Sequence, residues 1–117
     1  MADRLVNYLR PQRKRTGLSQ KDIATLLGYN EEGPVSRHER FRTIPPLLIA
    51  LSYEVIFQVP VSELFSGLRH AVADAVDRRL AELESRLDEK QKGNRQQRDI
   101  AARKLQWIRH RRQTYGK

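Results

Sequence analysis

The side chains of this chain that can do chemistry are cationic and hydroxylic rather than catalytic. His38, His70 and His110 are far apart in the 117-residue sequence. Only His70 has a carboxylate at helical spacing, Asp74 four residues on, which is an ordinary helix-surface pairing and too little to hold a metal. There is no cysteine, hence no disulfide, thiolate ligand or thiol nucleophile. Gly28 and Gly33 make no phosphate-cradling loop, because no strand precedes them and no lysine follows at the required place. No catalytic residue, metal, cofactor or small-molecule ligand is expected, and the chain does not read as an enzyme. What remains is a concentration of Arg10, Arg13, Lys14, Arg15, Arg37, Arg40 and Arg42, interleaved with Ser19, Gln20 and Ser36. An arginine fork can take the O6 and N7 of a guanine or two oxygens of a phosphate, and hydroxyls, amides and helix starts can bind phosphate. The chemistry these groups support is the recognition of a polyanion.

Capping and breaking residues define the elements that must position them. In Leu18-Ser19-Gln20-Lys21-Asp22-Ile23, a serine stands three residues ahead of an acid just before an apolar run, a variant capping box with Leu18 and Ile23 placed to staple. This predicts a helix from near Ser19, with Ile23, Ala24, Leu26 and Leu27 on its apolar face and Gly28 ending it through a left-handed backbone. After a turn at 29–32, Gly33-Pro34 offers a second start, and Val35 to Arg40 supply about two turns. Two short helices on a tight turn predict a helix-turn-helix. Arg37 faces outward there if Val35 and His38 point to the core. A first helix lies between Asp3 and Arg15, either beginning at Pro11 or kinked at it. A fourth starts at Pro45-Pro46, carries Leu47, Leu48, Ala50, Leu51, Tyr53, Val55 and Ile56 into the core, and is closed by Val59-Pro60. Ser62 then caps a short fifth helix, with Glu63 in its first turn and Leu64 and Phe65 inward.

Read in order, Leu9-Arg10-x-x-Arg13, Gly17-Leu18-Ser19-Gln20, Ile23-Ala24-x-x-Leu27-Gly28, Val35-Ser36-Arg37-x-Glu39-Arg40 and Val61-Ser62-Glu63-Leu64-Phe65 form a pattern. It resembles the phage-repressor and Cro-type helix-turn-helix proteins, the Xre family, over roughly residues 1–67. The resemblance implies a five-helix DNA-binding domain whose second helix crosses the DNA backbone and whose third enters the major groove. It also implies an ion pair between Arg13 and Glu39, which a partly buried arginine needs in any case to satisfy its donors. Arg37 matches the family position that reaches base edges and is either a reader of guanine or a plain solvated arginine, while Arg40 and Arg42, just after the third helix, are assigned to phosphates. Ser36 donates to a base or a phosphate. Gln20 and Ser19 reach a phosphate at the second helix start, although Ser19 reads equally well as a plain cap. Glu31 and Glu32 repel phosphates; they either stabilise the start of the third helix or accept from a cytosine amino group. The candidate DNA-binding set is therefore Ser19, Gln20, Glu32, Gly33, Ser36, Arg37, Arg40 and Arg42, with Arg13 and Glu39 structural.

Of the net charge of +9, most lies at the C-terminal end. From Arg95 onward eight basic residues accompany one acid, Asp99, which leaves +7 there and +2 in everything before it. Such a tail predicts salt-sensitive phosphate binding, an acidic partner or a solvated helix face. Beyond Gly67, Leu68, Val72, Ala75, Val76, Leu80, Leu83 and Leu87 recur at three- and four-residue spacing and predict an amphipathic helix of about six turns. Lys92-Gly93-Asn94 breaks it, and Ile100, Ala101, Leu105 and Ile108 begin a second stripe with Trp107 beside it. The pair folds as a hairpin, or the long helix pairs with its copy in a homodimer suited to two-fold operators. The expected fold class is all-α, a five-helix repressor-like domain at 1–67 followed by a C-terminal helical extension with a basic tail at 68–117. The expected function is a transcriptional regulator that reads an operator on double-stranded DNA as a homodimer, in the cytoplasm, with no membrane contact. Two alternatives stand beside it: a protein-interaction adaptor on the same scaffold, and an RNA-binding protein led by the tail, with Trp107 and Tyr115 stacking on bases.

Overall fold

Pro11 neither starts the first helix nor kinks it. In the computed structural model, which describes residues 7–115 and side chains through Gln113, α1 spans Leu9–Thr16 and Pro11 is its third residue. The amides of the first turn have no intrahelical acceptor, so a proline there forfeits nothing. The first helical bond runs from the Gln12 amide to the Tyr8 carbonyl (3.1 Å). Asp3, the earliest start expected, lies outside the described residues, as do Lys117 and the side chain of Tyr115.

The capping box forms at the start of α2 (Gln20–Leu27): Ser19 Oγ accepts from the Asp22 amide and Asp22 Oδ2 accepts from the Ser19 amide, both at 3.0 Å. Gly28 ends α2 at φ 90°, a conformation that costs a residue with a Cβ about 1–2 kcal/mol. A five-residue turn leads to α3 (Gly33–Glu39), with Pro34 in its first turn. α4 (Leu47–Phe57) follows, closed by Gln58 in a left-handed backbone at φ 58°. α5 (Val61–Leu64) starts two residues earlier than expected, with Pro60 rather than Ser62 at its N-cap. The acceptor a serine would have supplied comes from α4 instead, where Glu54 Oε1 takes the Val61 amide (2.8 Å).

Among the described residues all regular structure is helical, in seven helices that include α6 (Ser66–Lys90) and α7 (Arg95–Tyr115). The chain divides into two compact units, Met1–Ala71 and Val72–Lys117. In the first, α2 packs on α3 and α4, and α1 on the same two helices. Its core is Leu9, Ile23, Ala24, Val35, Ala50, Tyr53, Leu64 and Phe65. Two expectations fail here. Leu68 packs against this core rather than joining the C-terminal stripe, because α6 already begins at Ser66. And Leu26, Leu47, Leu48, Leu51 and Val55 are exposed: α4 turns only the Ala50 and Tyr53 face fully inward, and a helix apolar all round cannot bury both faces against one layer.

In the second unit, Leu87 of α6 meets Ala101, Leu105 and Ile108 of α7, with Leu80 against them. Val72, Leu83 and Ile100, expected in the stripes, are exposed. The break falls where expected, but not through a left-handed glycine. Asn94 and Gln97 cap α7 reciprocally, Asn94 Oδ1 accepting from the Gln97 amide (2.9 Å) and Gln97 Oε1 from the Asn94 amide (3.2 Å). A Cβ on Gly93 would overlap Gln97 Oε1, so the glycine makes room for the cap.

Candidate nucleic-acid interface

The geometry of α3 is set from below by the pair beneath it. Arg13 Nε donates to Glu39 Oε2 (2.6 Å) and Nη2 to Oε1 (3.1 Å), while Nη1 donates to the Leu18 carbonyl (3.2 Å). Both side chains are largely buried. The two-pronged contact with Glu39 holds the Arg13 guanidinium above its ordinary pKa, against the opposing effect of burial. α1 and the end of α3 are thereby locked in one register.

His38 does the same from the other side of α3. Its ring is buried, with Nδ1 2.8 Å from the Tyr53 hydroxyl of α4 and the two rings edge to face at 5.7 Å. Burial first, and then the Arg37 charge, hold the imidazole below its ordinary pKa, while burial pushes the Tyr53 hydroxyl well above its own. The His38 carbonyl accepts from Asn7 Nδ2 (3.1 Å), and Asn7 Oδ1 accepts from the Leu9 amide (3.1 Å). With Val35 and His38 both inward, Arg37 is turned to solvent.

Arg37, on the body of α3, and Arg40 and Arg42, at and just beyond its end, are all exposed. The chain leaves α3 through a Schellman turn: the Arg42 amide donates to the Arg37 carbonyl (2.8 Å) and the Phe41 amide to the His38 carbonyl (3.1 Å). Phe41 takes the left-handed position, at φ 56°. Ser36 is half-buried on the same helix, and its carbonyl accepts from the Arg40 amide (3.1 Å). Gly33 lies under Arg37; a Cβ there would come within 3.2 Å of Arg37 Nη1. Glu32 is the N-cap of α3, but its side chain accepts no capping hydrogen bond, and Glu31 and Glu32 are both exposed.

The two α2 candidates are turned to internal tasks. Gln20 Nε2 donates to Glu39 Oε1 (3.1 Å), so this side chain belongs to the Arg13–Glu39 network. Ser19 Oγ accepts from the Asp22 amide and the Ser19 amide donates to Asp22, whose carboxylate is held below its usual pKa by the Ser19 amide and hydroxyl. Sequence reasoning missed Asn7, Tyr53 as partner to His38, and Phe41 as the turn residue. The first two act across 31 and 15 residues of chain, a separation that no local pattern signals.

The C-terminal cations are not all available either. Across the hairpin, Arg109 pairs with Glu84 (3.0 Å) and Asp88 (3.2 Å), Arg112 with Glu84 (2.8 Å) and Arg111 with Asp77 (3.8 Å). Asp99 is thus not the sole acid the tail faces. Arg95, Arg98, Arg103 and Lys104 are exposed on α7, as is Trp107. Among the described residues no group of three or more metal-ligating side chains comes together, and no helix is long and apolar enough to cross a membrane. No family model matches the chain, and no curated protein or solved structure matches it either.

Proposed function

We propose that this chain is a sequence-specific regulator of transcription that binds double-stranded DNA, with α2 and α3 as a helix-turn-helix and α3 as the helix that enters the major groove. The observation that carries the reading is the division of labour on α3. Val35, His38 and Glu39 are committed to the protein, and Arg37, Arg40 and Arg42 are each left exposed. A rigid helix that presents one arginine from its body and two from its exit suits one base contact flanked by phosphate contacts. The resemblance to repressor-type domains points the same way. Ser19 and Gln20 then act by building α2 and bracing Glu39, and the backbone contacts fall to the arginines.

The test is selection from random duplex DNA by the full-length chain at near-physiological salt. An enriched motif is expected, and Arg37→Ala should relax preference at one position while leaving most of the affinity. Salt-sensitive binding without any enriched motif would sink sequence-specific reading. The adaptor reading has one observation in its favour, the exposed carboxylates of Glu31 and Glu32 beside the recognition helix. It requires that duplex DNA not bind at all.

A further inference from the structure

The α4 face that the core leaves uncovered is the largest feature the DNA reading does not use. Leu47, Leu48, Leu51 and Val55 are 73, 76, 44 and 69% exposed, and Leu26 of α2 is 57% exposed beside them. Scattered exposed apolar residues are ordinary, but these four leucines and one valine present roughly 600 Å² of apolar surface, the upper end of what a monomer carries in one patch. We propose that a second copy of this chain docks on this face, α4 against α4, to form a two-fold dimer. The association stands without the DNA reading.

Three observations favour a copy over a different protein. First, the face carries both halves of a helix-packing contact. Leu47, Leu51 and Val55 are spaced by four and form one ridge. Next to it Leu26, Leu48, Leu51, Ser52, Val55 and Ile56 line a shallow groove of about 270 Å³, opened by the small Ser52. Ridges of this spacing seated in each other's grooves are the commonest way two helices pack, so the surface is complementary to itself. Second, α4 itself offers little for a charged partner to recognise. The only ionised side chain of α4 is Glu54, and its carboxylate is tied to the Val61 amide. A chain of net charge +9 can meet its own copy only where no like charges are brought together. Third, the area is sufficient: two such faces bury about 1,200 Å², the lower bound of stable interfaces. In the second unit Leu87, Ala101, Leu105 and Ile108 are buried within one chain, and the exposed Val72, Leu83 and Ile100 are spread along the two helices.

The experiment is sedimentation equilibrium of the full-length chain over about 1–100 µM, with a two-chain mass and a Kd of about 10 µM or tighter expected. Leu47→Lys and Leu48→Lys replace side chains already mostly in water and should keep the helix content by circular dichroism. Each should weaken association by at least about 100-fold, since an ammonium would be buried at the contact. Ile100→Lys in the second unit should change nothing. A single-chain mass at the highest concentration overturns the proposal and leaves the face to another protein. A dimer that survives both α4 substitutions, or one that only Ile100→Lys breaks, overturns it as well and hands the contact to the hairpin.

Discussion

Arg13 and Glu39 set the tolerance of this protein to change at single residues. Glu39 accepts from three donors, two on Arg13 and one on Gln20. Glu39→Ala should cost about 3 kcal/mol, because it strands a largely buried guanidinium, whereas the Arg13→Met/Glu39→Leu double replacement should recover much of that loss. Urea titrations of the three proteins decide this, and equal losses in single and double variants would refute it. His38 contributes a pH dependence. Its folded pKa is depressed, so the neutral ring is the form the fold holds, and the unfolded chain takes up the proton first. The stability it contributes is complete above the unfolded value of about 6.5 and is lost as pH falls from there through the folded value. The urea midpoint should therefore drop on acidification from pH 7.5 to 5, and His38→Gln should flatten that drop. A midpoint that falls equally in both proteins would place the effect on other groups.

At the scale of elements, stability rests on how each helix starts and stops. Ser19→Ala removes one arm of the capping box and should cost about 1 kcal/mol. Gly93 and Gln97 act as one unit, because the glycine exists to admit the glutamine's carbonyl to the Asn94 amide. Gly93→Ala and Gln97→Ala should each cost up to about 1 kcal/mol, and the double variant little more than either, a coupling that a double-mutant cycle in thermal melts would measure. Additive losses would show that Gly93 matters for the backbone alone. The capping box was legible in sequence because its four residues are adjacent. The Glu54 cap on Val61 was not, since its acceptor lies seven residues back on another helix.

For the molecule as a whole, folding redistributes the charge that the sequence concentrates at its C-terminal end. Arg109, Arg111 and Arg112 face α6 carboxylates, which leaves Arg95, Arg98, Arg103 and Lys104 as the exposed cations of α7 without an ion pair among the described residues. If α7 touches DNA, Arg103→Gln/Lys104→Gln should lower the slope of log affinity against log salt by about 1.8, at about 0.9 per lost phosphate contact. Arg112→Gln should lower it far less. Filter-binding titrations at several salt concentrations separate the two, and a slope unchanged by the double variant would show that Arg103 and Lys104 touch no phosphate.

Local sequence by itself determined the helical class, the capping box at Ser19, the stop at Gly28, the start at Gly33-Pro34, the break at 92–94 and the inward pair Val35 and His38. Each follows from residues within a few positions of one another, where backbone preference and side-chain reach suffice. Only the tertiary structure decided which face of α4 is buried, that Gln20 serves Glu39, that Leu68 joins the first core, and that half the tail's arginines are spent on α6. α4 is apolar on every side, so its pattern carries no direction. Gln20 and the tail's arginines meet partners 19 to 34 residues away in sequence, and Leu68 meets a core gathered from Leu9 to Phe65, where chain geometry, not local preference, chooses the contact.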